Sequence, residues 1–186
     1  NQLQSYFIHE VEKIVNRQGK QIIGWDEILD GGLAPNATVM SWRGEKGGIE
    51  AAKSGHSVIM MPNADTYLNY YQEDPEYAPI GFLPIEQVYS YEPIPAQMND
   101  RDKKYVLGME AALWTPYMKN PDVVDYYMYP RFYAVAEVAW TPAEAKNYTD
   151  FLARIRKQYA RLDLQQVKAC RNYFDAYIDG AFNKRT

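Results

Sequence analysis

The sequence predicts an α/β fold: half of a TIM (β/α)8 barrel, about four strands, with C-terminal helices. Three observations carry this. Short apolar runs alternate with helical patterns, which argues for a parallel sheet. Four such runs occur in 186 residues, whereas a complete barrel takes eight strands and roughly 250 residues. Three of the four tryptophans close apolar runs, at Ile22-Ile23-Gly24-Trp25, Val39-Met40-Ser41-Trp42 and Ala112-Leu113-Trp114. The C-terminal strand ends of such a barrel build its active site. An indole there offers a flat apolar face that suits the C–H face of a sugar ring, and three could wall one pyranose. A single tryptophan in an apolar run is as often core, so the repetition carries the argument.

Leu3, Phe7, Val11 and Ile14 recur at helical spacing and predict an amphipathic helix over 5–16, closed by Gly19 as a C′ glycine. Strands follow over 21–25 and 38–42, then a short helix over 49–53 closed by Gly55 and a third strand over 57–61 stopped by Pro62. Residues 63–104, rich in proline and tyrosine, read as one long irregular stretch, a feature usually functional where it occurs. A fourth strand spans 105–113. Asn120-Pro121 reads as an N-cap with proline at the first helical position, opening a helix to 139 that kinks or breaks at Pro130. Thr141-Pro142-Ala143-Glu144 has the form of a capping box. Phe151, Ile155, Tyr159 and Leu162 mark a further helix, and 167–178 another. The division is 1–145 for the barrel half and 146–186 for terminal helices packing on it. A start at Asn1 that runs at once into a helical pattern gives the expectation of a piece of a longer chain.

Composition narrows the function classes. A net charge of −4 argues against nucleic acid as a partner. No stretch approaches the ~20 apolar residues of a membrane span. Cys170 stands alone, so no internal disulfide is expected. His9 and His56 are too far apart in sequence to suggest a zinc site, and no glycine-rich phosphate loop is present. Neither a metal centre nor a phosphate-loop cofactor is expected from these residues. Seventeen tyrosines and four tryptophans fit carbohydrate better than an ionic substrate.

Four motifs in order carry a family resemblance. They are Gly24-Trp25-Asp26-Glu27-Ile28, Met40-Ser41-Trp42-Arg43-Gly44, Tyr67-Leu68-Asn69-Tyr70-Tyr71-Gln72, and residues 108–115; Pro130-Arg131 and Ala136-Glu137-Val138-Ala139-Trp140 extend them. Together they resemble family 20 of the glycoside hydrolases, the β-N-acetylhexosaminidases, over nearly the whole chain. The resemblance implies strands five to eight of the catalytic barrel. It also implies substrate-assisted retention, an exception to the two-carboxylate scheme, in which the sugar's own 2-acetamido oxygen attacks the anomeric carbon. It assigns Tyr67 as the catalytic donor to that oxygen, and Trp25, Trp42 and Trp114 as the wall around acetamide and ring. The family's Asp-Glu pair, which orients the acetamide and protonates the leaving group, lies in a motif that this chain lacks.

Asp26-Glu27 is a decoy on this reading. Neighbours on a strand point to opposite faces, so the two would not share a substrate unless the strand had already ended. Bonding the barrel rim or orienting neighbours is the favoured role, with Glu110 and Glu137 read as structural in the same way. Trp140, inside a helix, reads as core. Two departures from the family stand out. Asn69 replaces a common aspartate that reaches the outer hydroxyls, and Pro116 replaces a common glutamate that grips the 4-hydroxyl. A carboxylate repels an anionic substituent, whereas an amide can donate to one, so 6-sulfated N-acetylglucosamine joins plain N-acetylhexosamine as a candidate substrate.

The implied partners are N-acetylhexosamine-terminated glycans and the N-terminal half of the same barrel. A half-barrel leaves sheet edges unpaired, so self-association or poor solubility is the alternative expectation for this chain alone. Relatives of this kind are secreted, periplasmic, surface-bound or lysosomal, and the single cysteine favours a bacterial envelope. The sequons at Asn36 and Asn147 add little without a known host. A non-catalytic module binding N-acetylated sugars, and a structural domain with an aromatic core, are the competing classes.

Overall fold

The computed structural model describes residues 2–73, 80–171 and 173. The chain divides into two units, Asn1–Thr66 with Glu92–Ala111, and Tyr67–Tyr91 with Ala112–Thr186.

The first unit holds a four-stranded parallel sheet in the order β1 (Ile23–Trp25), β2 (Thr38–Ser41), β3 (Val58–Met60), β4 (Val106–Met109). Consecutive parallel strands need crossovers, and the amphipathic helix α2 (Lys46–Lys53) supplies one between β2 and β3. Its buried face is small: Gly48, Ala51 and Ala52. A Cβ on Gly48 would stand 2.5 Å from the Met60 sulfur, so only glycine lets the helix settle this close to the sheet. Val39, Val58 and Met60 complete the buried layer. α3 (Asn63–Thr66) and α5 (Asp100–Lys103) also belong here, the latter capped by the Asn99 side chain on Asp102 N at 3.0 Å.

α1 (Gln2–Arg17) forms as its spacing predicts, and Gly19 follows it with φ +66°. Its apolar stripe faces the wrong way for a packed unit. Leu3, Phe7 and Ile14 are 80, 62 and 60 % exposed. The inward contacts are polar instead: Gln4 Nε2 donates to Glu27 O, Ser5 Oγ to Gly32 O, and buried Glu12 accepts from Asn36 N. Periodicity identifies a face that wants covering, and nothing in this unit covers it.

The second unit is helical: α4 (Ile85–Ser90), α6 (Pro121–Met128), α7 (Arg131–Trp140) and α8 (Tyr148–Leu164). α4 packs on α7, and Leu83, Ile85, Val88, Ala134, Phe151 and Ile155 form the core. Asn120 and Asn147 cap α6 and α8 with side-chain acceptors, at 3.1 Å from Val123 N and 3.0 Å from Asp150 N.

Four expectations change, and one is narrowed. The fourth strand ends at Met109 rather than 113; Gly108 lies at φ +146°, and Ala112 instead bridges Tyr67 in the second unit. Residues 63–104 contain three short helices, so the stretch is not uniformly irregular. Of the kink or break expected at Pro130, the structure has the break, which separates two helices. The anticipated capping box is a 3₁₀ turn (Ala143–Ala145) without a side-chain cap. Of the helix expected over 167–178, residues 167–171 are not helical, Tyr173 is, and 172 and 174–178 lie outside the described residues. Among the described residues no helix is long and apolar enough to cross a membrane.

Candidate active site

In the first unit, β1 stops at Trp25 and a 3₁₀ turn (Asp26–Leu29) begins at once. That turn aims both acids at one neighbour. Asp26, 1 % exposed, accepts from Trp42 N (3.2 Å) and Arg43 N (3.1 Å) at Oδ2, and from Arg43 Nε (2.6 Å) at Oδ1. Glu27 Oε2 accepts from the Trp42 indole Nε1 at 2.9 Å. The Asp26 hydrogen bond raises the Arg43 pKa above its ordinary value. The strand had already ended, so the pair does act on one target, and the target is the segment after β2. Ser41 Oγ closes the next turn, donating to Gly44 O and accepting from Gly48 N. Trp25 and Trp42 then stand edge to face, centroids 6.5 Å apart at 85°.

In the second unit, Tyr67 pairs with Ala112, and Leu68 N donates to Ala112 O at 2.7 Å. Two residues beyond Ala112, Trp114 N donates to Asn69 Oδ1 at 3.4 Å. With Oδ1 so engaged, the Asn69 amide presents its NH₂ as the remaining polar group. Tyr67 is buried, with its ring 5.9 Å from that of Tyr70, and Trp114 is half exposed. A cavity of about 50 Å³ is lined, among the described residues, by Asn69, Ile80, Trp114, Pro116, Tyr117, Met118 and Tyr127.

The five site residues therefore group as Trp25 with Trp42, and Tyr67 with Asn69 and Trp114. Glu137 is structural as expected, bonded by Arg154 at 2.8 and 2.5 Å. Trp140 is a correction. It is 88 % exposed, because the buried positions of α7 are Arg131, Ala134, Val135 and Val138, and Trp140 falls off that stripe. Both histidines hold backbone carbonyls, His9 that of Ser5 and His56 that of Ala37. Sequence reasoning assigned no role to Arg43 or Arg131, though both stand inside quoted motifs; their partners are distant in sequence and carry no local signal.

Comparison with known proteins identifies the family. Residues 1–143 match the Glycosyl hydrolase family 20 catalytic domain. A β-hexosaminidase of Porphyromonas gingivalis is 49 % identical over 171 residues, covering 90 % of this chain and 22 % of that protein. A β-hexosaminidase of Vibrio furnissii is 35 % identical over 141 residues, covering 73 % and 23 %. The crystal structure of a GH20 exo-β-N-acetylglucosaminidase from Vibrio harveyi, in complex with N-acetylglucosamine, superposes with a TM-score of 0.82 at 32 % identity, over 91 % of this chain and 27 % of that one. The chain thus spans about a quarter of the length of these relatives. Its parallel sheet and helices are a part of their TIM-barrel architecture. The tryptophans at β1 and β2, the tyrosine segment bonded to Ala112, and the match over residues 1–143 lead to one statement: this chain belongs to glycosyl hydrolase family 20.

Proposed function

We propose that the parent protein is a β-N-acetylhexosaminidase that removes terminal N-acetylhexosamine by substrate-assisted retention, and that this chain supplies part of its sugar pocket. The observation that carries the reading is the Tyr67 segment, fixed through Leu68 to Ala112 beside Asn69 and Trp114. The 2-acetamido oxygen attacks the anomeric carbon while an acid protonates the departing glycosidic oxygen. Tyr67 is the hydrogen-bond donor that holds the attacking oxygen in line, a role that counts most where charge develops. Trp25, Trp42 and Trp114 supply apolar faces for the acetamide and ring. Asp26 and Glu27 are engaged with Trp42 and Arg43, which supports placing the acid in the remainder of the parent protein.

The partner on this reading is the N-terminal half of the same barrel. The outward apolar stripe of α1, and the exposed Ile23 on β1 and Leu107 on β4, support it, because each is surface that a neighbouring strand or helix would bury. The substrate is a glycan ending in N-acetylhexosamine. The amide of Asn69, with its Oδ1 engaged by Trp114 N, leaves an NH₂ donor that supports tolerance of a 6-sulfate on N-acetylglucosamine. A secreted or envelope location suits such a substrate.

The test is hydrolysis of an aryl β-N-acetylglucosaminide and its 6-sulfate, by this chain alone and mixed with the N-terminal half. Activity confined to the mixture is expected. Activity from the chain alone would return Glu27 to candidacy as the acid, and strong rejection of the sulfated sugar would remove the sulfate reading.

A further inference from the structure

Arg131 opens α7 and is fully buried, the largest side chain so enclosed. No carboxylate among the described residues pairs with it. Burial pushes its pKa down to about 10, which leaves it cationic at neutral pH. A buried cation without a counter-ion is costly, so its partners need to account for it. All four are backbone carbonyls. Nη1 donates to Tyr70 O at 3.0 Å and Leu83 O at 2.8 Å; Nη2 donates to Tyr127 O at 2.7 Å and to Leu68 O. The planar fork thereby satisfies carbonyls of three separate chain segments at once, which an ammonium group cannot do in the same geometry.

The position of these carbonyls matters more than their number. Leu68 is the residue between Tyr67 and Asn69. Its N–H is held by Ala112 O, and its C=O is held by Arg131. Tyr70, one residue past Asn69, is held by the other Nη. The segment that carries the phenol and the amide is thus clamped at the intervening peptide and again just beyond. The phenol itself makes no bond to Arg131.

We infer that Arg131 is a positioning residue for the reaction: by clamping the Leu68 and Tyr70 carbonyls it sets the Tyr67 hydroxyl against the substrate's acetamide oxygen. This rests on the role proposed above for Tyr67. A hydrogen-bond donor misplaced by a fraction of an ångström is present but ineffective, so the clamp belongs to catalysis as well as to folding.

The experiment uses the full-length parent enzyme and a double-mutant cycle of Arg131→Lys with Tyr67→Phe, reading kcat, KM and thermal midpoint. Tyr67→Phe is expected to lower kcat by about 10²-fold. Arg131→Lys is expected to lower kcat by about 10-fold with a smaller change in KM, and to lose most of that effect in the Tyr67→Phe background, while its drop in thermal midpoint persists in both. Equal kcat losses in both backgrounds would show a merely structural role and overturn the inference. If Tyr67→Phe leaves kcat unchanged, the role of Tyr67 fails first and the inference falls with it. Arg131→Gln, neutral and able to reach fewer carbonyls, repeats the cycle if the lysine variant does not fold. Failure of both variants to fold would assign Arg131 to folding alone and overturn the inference.

Discussion

The two units fix their aromatic residues with opposite charges. In the first, carboxylates hold N–H groups: Asp26 takes the Trp42 and Arg43 amides, and Glu27 takes the Trp42 indole. In the second, a buried guanidinium holds C=O groups on either side of Asn69. The anionic clamp, in the turn after β1, reaches a target 15 to 17 residues along the chain, with a half-exposed Arg43 sharing its charge. The cationic clamp lies more than sixty residues from the segment it grips. Charged residues near a pocket therefore need not be reacting groups. Here the acids, and the Nη groups of Arg131, hold backbone and indole groups of other residues.

The comparison breaks most readily at Asp26. Asp26→Ala removes the acceptor of two backbone N–H groups that lie in a part-buried turn, and frees Arg43. Each orphaned donor costs about 1–3 kcal/mol, and Arg43 rehydrates, so a loss of about 3 kcal/mol is expected in denaturant unfolding of the parent protein. Trp42 should also loosen, seen as a rise in quenching of its fluorescence. A loss well under 1 kcal/mol would mean that the carboxylate is incidental and the turn holds itself.

Glu27→Gln gives a smaller and sharper contrast. Glutamine keeps an acceptor for the indole and gives up only the charge, worth about 1 kcal/mol on one hydrogen bond. Hydrolysis by the parent enzyme should then change by less than tenfold. A general acid removed outright costs about 10²–10⁴-fold. A fall of that size in kcat, without unfolding, would make Glu27 a reacting group and dissolve the symmetry between the two clamps.

Much of this arrangement was legible from local signals. The run ending at Trp25 places a strand end correctly because apolar alternation and the following acids act over a few residues. Asn120 and Gly19 announce helix ends because capping is likewise local. Tyr67 and Asn69 lie beside the Ala112–Trp114 run through an isolated bridge and one hydrogen bond, so Trp114 follows a bridge and not the expected strand. What escaped was non-local. Nothing near Arg131 says that its partners are Leu68 and Leu83. The stripe on α1 is visible as a pattern, yet the pattern is silent on what covers it. Asp26 and Glu27 bond neighbours, but their shared target, Trp42 and Arg43, lies beyond β2 and carries no signal near the acids.

The weakest expected effect separates two aromatic residues of the second unit that sequence treats alike. Phe151 and Trp140 both sit on helices at apolar positions, but Phe151 is wholly buried and Trp140 is 88 % exposed. Truncating a buried phenylalanine costs about 3–5 kcal/mol through lost burial and the cavity left behind. An indole already in water has little burial to lose, so Trp140→Ala in this chain should change unfolding free energy by no more than about 0.5 kcal/mol. The same substitution in the parent protein is the informative arm. A loss there of about 2 kcal/mol or more would mean that another part of the parent buries the indole, since truncation costs that much only when packing is removed. Equal, small effects in both would leave Trp140 a surface residue.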